Sequence, residues 1–296
     1  RNSGILVKVS NPSQLHFAVR KKKIGCMMGV EGGHMIEDQL SFLDSFYKRG
    51  VRYMTLTWNN STSWATSAAD ETAKKDSLPH KGLTDLGKQV VQRMNELGML
   101  VDLSHVGVQT FWDAIQTSTK PVIASHSNAY SLCPVPRNLR DDQILAIGKN
   151  GGVIHLNFYS GFVDSNYNKR KNLFLQSHQS EVDSLKSAGL ASYEREEWIS
   201  RKYPTEAQAL RPPLSMLLDH LDYIVKLIGV DHVGLGSDFD GIESAPAGLD
   251  DVRSFPLITK ELLQRGYSKK DIKKILGGNF IRVFNQAQSH NKSNHS

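Results

Sequence analysis

Two histidines stand in matching settings. His105 closes Val101-Asp102-Leu103-Ser104-His105, and His126 closes Val122-Ile123-Ala124-Ser125-His126. Each ends a short apolar run, and a helical stretch lies between them. Consecutive parallel strands would point both imidazoles into one mouth, a geometry suited to zinc through neutral ring nitrogens. A single strand-end histidine is more often a hydrogen-bonded structural residue; two in the same Ser-His context on successive strands favour a shared ion.

Carboxylates fall at comparable places. Glu31 follows Met28-Gly29-Val30 and precedes Gly32-Gly33, so it could bridge two cations while the glycines let the backbone turn sharply away. By itself it reads equally as a helix-capping acid ahead of His34. Asp238, in Gly236-Ser237-Asp238-Phe239-Asp240-Gly241, ends the last apolar run, where a carboxylate near a metal-bound hydroxide could take its proton and deliver it to a leaving amine. Asp240 competes for that part, but strand alternation turns Phe239 away and leaves Asp240 in the following loop. Arg137 lies in the proline-stiffened stretch Pro134-Val135-Pro136-Arg137-Asn138. A guanidinium there could grip a substrate carboxylate by two parallel hydrogen bonds, and reads equally as a surface arginine.

The elements that would carry these residues alternate. Apolar runs rich in Val, Ile and Leu span 24–30, 53–57, 99–103, 122–124, 153–157 and 233–236, and near-continuous apolarity fits strands buried on both faces. Amphipathic helical patterns span 38–48, 84–97, 108–116, 141–148, 214–228 and 255–265. Asn11-Pro12 reads as an N-cap with proline at the first helical position, and Gly50, Gly98 and Gly266 sit where helix C-terminal glycines belong. Parallel returns need crossover helices, so the chain is α/β. Nearly every run ends in a chemically capable residue: Glu31, Trp58, His105, His126, Asn157 and Asp238. Strand ends converge in this way on the active-site face of a (β/α)8 barrel of the TIM type. Six runs are two short of closure, so the N-terminal strands are expected to be missing from this chain and to precede Arg1, with residues 1–296 forming one incomplete barrel domain. The long polar segment 160–213 is expected to be a helical insertion.

Composition sets bounds. With 296 residues, 39% hydrophobic and 22% charged, the chain can bury a sizeable core. No apolar run approaches a membrane span and the start has no signal-peptide core; the compartment stays open, since a targeting segment could be absent from this chain. Cys26 and Cys133 lack metal-site spacing and read as buried small side chains. The net charge of +6 is scattered apart from Arg20-Lys21-Lys22-Lys23, Lys169-Arg170-Lys171 and Lys269-Lys270, which read as solvated helix ends and not as a nucleic-acid surface.

Taken together, Gly29-Val30-Glu31-Gly32-Gly33-His34, Arg52-Tyr53-Met54-Thr55-Leu56-Thr57, Asp102-Leu103-Ser104-His105-Val106, Ser125-His126-Ser127-Asn128-Ala129-Tyr130, Arg137-Asn138 and Gly236-Ser237-Asp238-Phe239-Asp240-Gly241 resemble the membrane (renal) dipeptidase family of zinc peptidases. The resemblance implies two zinc ions per complete site, with Glu31 as the bridging carboxylate and His105 and His126 on the second zinc. It implies that Asp238 is the catalytic acid/base and Arg137 the grip on the substrate carboxylate. The implied reaction is dipeptide hydrolysis by a metal-bridging hydroxide, on varied dipeptides that include some with a D-residue on the C-terminal side.

Two departures from the family pattern stand out. The family takes further ligands from a His-x-Asp pair on its first strand; the sole His-x-Asp here, His220-Leu221-Asp222, lies within a helical pattern, where side chains two apart diverge. Trp58 holds the place where some members have a substrate-contacting histidine, and offers an N–H but no titrating nitrogen. Competing readings are another amidohydrolase, such as a lactonase or deaminase, and a non-catalytic binding protein on the same barrel. A homodimer is left open.

Overall fold

The computed structural model describes residues 4–289. Seven parallel strands form one sheet in strictly sequential order: β1 (Leu6–Val9), β2 (Ile24–Glu31), β3 (Val51–Thr55), β4 (Leu100–Asp102), β5 (Ile123–Ala124), β6 (Val153–Leu156) and β7 (Val233–Leu235). The crossovers hold α1 (Pro12–Arg20), α2 (Leu40–Arg49), α3 (Ala68–Ala73), α4 (Asp85–Leu97), α5 (Val108–Thr117) and α6 (Asp141–Asn150). Between β6 and β7 the chain runs through α7 (Ser160–Val163), α8 (Tyr167–Ser177), α9 (Gln179–Ser187), α10 (Ser192–Lys202), α11 (Pro204–Ala209) and α12 (Leu214–Ile228). After β7 come α13 (Phe255–Gln264), α14 (Lys269–Lys273) and α15 (Asn279–Gln288). The result is a curled parallel α/β sheet of the TIM-barrel type, with β1 and β7 as its edges among the described residues.

Local chemistry explains the boundaries. The Asn11 side chain accepts from the Gln14 N–H and Pro12 opens α1; Thr84 caps α4 through Gly87; Gly50, Gly98 and Gly151 end α2, α4 and α6 in the left-handed conformation. One strand escapes the sequence reading, which starts the chain on a helix. β1 precedes α1 and pairs with the first half of β2, from Leu6 against Ile24 to Val9 against Met27. Three of its four residues, Leu6, Val7 and Val9, are apolar, but only Val9 is buried. β3 pairs with the second half of β2, with a register shift between Met28 and Gly29.

Two further expectations need correction. Cys26 is exposed on β2, although Cys133 is buried as expected. Lys171 is not a solvated helix end: it reaches Glu196 at 2.8 Å, and neighbouring Arg170 pairs with Asp164 at 2.7 Å, tying α8 to the rest of the chain.

The sheet has two unlike faces. Outward residues such as Val101, Val122, Ala124 and Ile154 join the main core, which α4, α5, α6, α12 and α13 cover. On the other face, Val9, Leu100, Ile123 and Val153 form a second cluster with Val283, Phe284 and Ala287 of α15. Two residues further along β4 and β6 the same face turns polar, at Asp102 and His155. A buried apolar floor therefore lies under a polar rim. Phe284 is fully buried in that floor. Phe284→Ala is expected to cost about 3–5 kcal/mol, seen as an earlier unfolding midpoint in urea; a loss under about 1 kcal/mol would mean that α15 does not seal the sheet.

Candidate metal centre

Register brings the rim together. Glu31 lies beside Thr55, Thr55 beside Asp102, and Asp102 beside Ile123, so the carboxyl ends of β2 to β5 stand level. Glu31 is the last residue of β2, and the backbone then leaves through Gly32 at φ +102°. A Cβ at Gly33 would come within 2.4 Å of the Trp64 ring and 2.6 Å of the Leu56 carbonyl oxygen, so this turn requires glycine. The Glu31 carboxylate does not cap a helix; it faces the two histidines.

His105 Nε2 and His126 Nε2 approach to 2.9 Å, and Glu31 Oε1 lies 3.1 Å from the first and 3.2 Å from the second. Both imidazoles are buried, while Glu31 is 47% exposed and opens the site to solvent. Among the described residues this is the one group of three such side chains able to hold a metal ion. The donors fit such an ion: a tetrahedral zinc with bonds of roughly 2.0–2.1 Å places its ligand atoms about 3.3 Å apart. Two imidazole nitrogens and a carboxylate oxygen suit a borderline divalent cation. Electrostatics prepares the same set. Burial holds His105 down to about 4, hence neutral, against the opposing pull of Glu31. The close approach of His105 and then His126 holds Glu31 well below the usual carboxylate range.

Asp238 lies on the same rim. Its Oδ2 accepts from Asn157 Nδ2 at 3.0 Å, burial raises its pKa, and the charges of His126, Glu31 and Arg137 all act on it. Phe239 turns away to pack on Phe158 and Phe255, and Asp240 is exposed in the next turn, as alternation predicts. Asp238 and His105 both have left-handed backbones, at φ +69° and +66°. Such non-glycine residues carry strain of order 1–3 kcal/mol that surrounding contacts must offset. For His105 those contacts include its carbonyl, which accepts from the Ala68 N–H at 2.8 Å.

Arg137 is half-buried beside the histidines and not on the open surface. Its Nη2 comes within 3.5 Å of the His126 carbonyl, its guanidinium stands 5.4 Å from the centre of the Phe162 ring, and its shielded Nε has no hydrogen-bond partner. Burial lowers its pKa to about 10, still well above neutral. A guanidinium so placed keeps donors free for an anionic group. A cavity of about 360 Å³ lined by His105, Arg137, Glu71, Tyr130 and Lys75 adjoins it. Trp58 is 46% exposed, with its ring centre 6.5 Å from that of His105. The structure thus groups Glu31, His105 and His126 tightly and sets Asp238, Arg137 and Trp58 around them. A larger cleft of about 890 Å³, between α8, α10, α11 and the loop after Asp238, contains none of these six residues.

His220-Leu221-Asp222 plays no part here. His220 is buried against the Ala129 N–H and the Val163 carbonyl, and Asp222 binds Arg265 and Tyr267. Sequence reasoning gave no role to Asp102 and Ser125, which hold His126 from behind, and listed Asn157 only as a strand-end residue, not as the support beneath Asp238; Asn59 faces His105 Nδ1. Asp102 had one available signal, as a lone acid inside an apolar strand.

Comparison with known proteins follows the same lines. Residues 2–296 match the family model described as membrane dipeptidase (Peptidase family M19). An uncharacterised dipeptidase of Schizosaccharomyces pombe is 36% identical over 267 residues, covering 90% of this chain and 54% of that protein. The chain therefore spans about half the length of that curated relative. Among solved structures, the probable dipeptidase PvdM from Pseudomonas aeruginosa superimposes with a TM-score of 0.77 at 28% identity, over 96% of this chain and 74% of that one. A Rhodobacter sphaeroides metallopeptidase, liganded with a phosphinate mimic of L-Ala-D-Ala, shares the fold at TM-score 0.75 and 24% identity, over 96% and 70%.

Cobalt(II) reports directly on such a donor set. Adding it to the protein is expected to produce visible d–d absorption that Glu31→Gln and His126→Ala each diminish. Bands of equal strength in both variants would place the cation elsewhere.

Proposed function

The chain belongs to the membrane dipeptidase family, and from that premise we propose that it carries the catalytic rim of a zinc-dependent dipeptidase. The observation behind this reading is the convergence of Glu31, His105 and His126 within 3.2 Å of one another, with Asp238 and Arg137 on the same rim. The names of the S. pombe and PvdM relatives point the same way.

In this reading His105, His126 and Glu31 would hold zinc, with Glu31 as the ligand that a complete site of two ions would share. Zinc, when bound, supplies Lewis acidity towards a carbonyl oxygen and a water acidic enough to deliver hydroxide near neutral pH. The chain's own residues supply the rest. Arg137, with a free Nε donor and a positive charge, binds the carboxylate of the dipeptide and sets the register of the scissile bond against the rim. Asp238 is half-buried and steadied by Asn157. It takes up the proton shed by the attacking water and passes it to the nitrogen of the departing amine, which would otherwise leave as an anion. Trp58 forms part of the mouth and offers its indole N–H to the substrate.

These roles separate experimentally. Release of free amino acids from a dipeptide panel is expected to require zinc. Asp238→Asn should lower kcat by about 10²–10⁴ with zinc content unchanged. Arg137→Leu should act mainly on KM, by roughly 10–100-fold, because a charged hydrogen-bonded contact is worth about 1.5–3 kcal/mol. Intact dipeptides alongside an opened lactone or a deaminated base would replace the peptidase reading with another amidohydrolase; retention of metal with none of these reactions would leave a binding protein.

A further inference from the structure

Behind the two imidazoles lies hydrogen bonding that the reaction does not itself use. Asp102 is completely buried. Its Oδ1 accepts the backbone N–H groups of Ser104 at 3.1 Å and Ser125 at 2.8 Å, and its Oδ2 accepts the Thr55 and Ser125 hydroxyls, both at 2.5 Å. Four donors on one side chain, two of them backbone N–H groups that can only donate, match an acceptor-only carboxylate.

Ser125 also lies 2.7 Å from His126 Nδ1. A hydroxyl has one hydrogen, and here Asp102 takes it. Towards His126, then, Ser125 Oγ can only accept, and Nδ1 must carry the hydrogen. His105 meets the same condition by a different residue, since its Nδ1 faces Asn59 Oδ1 at 3.1 Å, an acceptor. The Ser104 hydroxyl accepts the His126 backbone N–H at 3.0 Å and holds the second histidine in place.

From this geometry we infer that Asp102 and Ser125 are positioning residues: they form a relay that fixes His126 as its Nδ1–H tautomer, so that its Nε2 lone pair is presented to the cation site beside those of His105 and Glu31. Asn59 performs the corresponding task for His105. This inference rests on the metal reading above and extends it to residues that touch neither substrate nor ion. Its physical content is pre-organisation. Without the relay a neutral imidazole divides between two tautomers and can rotate, and part of the population offers the cation an N–H in place of a lone pair.

The test uses the whole protein, with zinc affinity measured by chelator competition and imidazole tautomers read from ¹⁵N-histidine NMR of the zinc-loaded form. Ser125→Ala is expected to weaken zinc binding by about 10–100-fold and to blur the single Nδ1–H signature of His126. Ser125→Thr, which keeps a hydroxyl, should restore both. Asp102→Asn should resemble Ser125→Ala, and an unchanged melting profile in Ser125→Ala keeps the comparison valid if Asp102→Asn fails to fold. A Ser125→Ala protein within about threefold of wild-type affinity, or a His126 carrying its hydrogen on Nε2 in the loaded wild type, overturns the relay and leaves the metal reading intact. A wild-type protein that takes up no zinc overturns the metal reading, and the relay falls with it.

Discussion

Parallel pairing in strictly sequential order is the constraint from which the remaining structure follows. Every strand runs the same way, so every strand ends at the same rim, and chemistry written 207 positions apart, at Glu31 and Asp238, meets there. Each return needs a helix on the outer face, which gives the sheet its main apolar cover. The inner face is then divided by height. Low on the strands Leu100, Ile123 and Val153 pack against α15, and one pleat higher Asp102 and His155 begin the polar layer.

That polar layer breaks local rules in a consistent way. His105 and Asp238 both adopt left-handed backbones where other residue types would be less strained, and Gly32-Gly33 occupies a turn too crowded for a Cβ. Strain of this kind persists only where neighbours over-determine it, and the neighbours are visible: Ala68 on the His105 carbonyl, Asn157 on the Asp238 carboxylate, Asp102 holding β3, β4 and the end of β5 at one level. Precision at the rim comes from strand ends pinned sideways to one another.

Much of this was legible from residue order alone. The apolar runs at 153–157 and 233–236 overlap observed strands that are largely buried, the run at 24–30 overlaps β2 although only Val30 of that run is buried, and 214–228 matches α12 to the residue. β1 went unread although Leu6, Val7 and Val9 are apolar, because a run of four residues is too short to establish a period ahead of the plain helix start at Asn11-Pro12. Residues of the rim with charge or imidazole character announced themselves at strand ends. Their supports were less plain: Asn157 stood at a strand end without a stated task, Ser125 is a common polar residue, and only pairing between strands reveals that Asp102 lies under a serine 23 residues later. Cys26 failed the general expectation for a small thiol because it faces outward from β2 beside the edge strand.

The floor beneath the sheet joins Val9 to Val283, Phe284 and Ala287, and the Gln288 side chain donates to the Ser10 carbonyl across 278 positions. Contacts between such distant residues close very large loops, and loop-closure entropy slows their formation. During synthesis the strands emerge from the ribosome well before α15 exists, so the underside of the nascent sheet stays wet until α15 has been translated. Chaperone protection in that interval would matter most for the apolar row of Leu100, Ile123 and Val153.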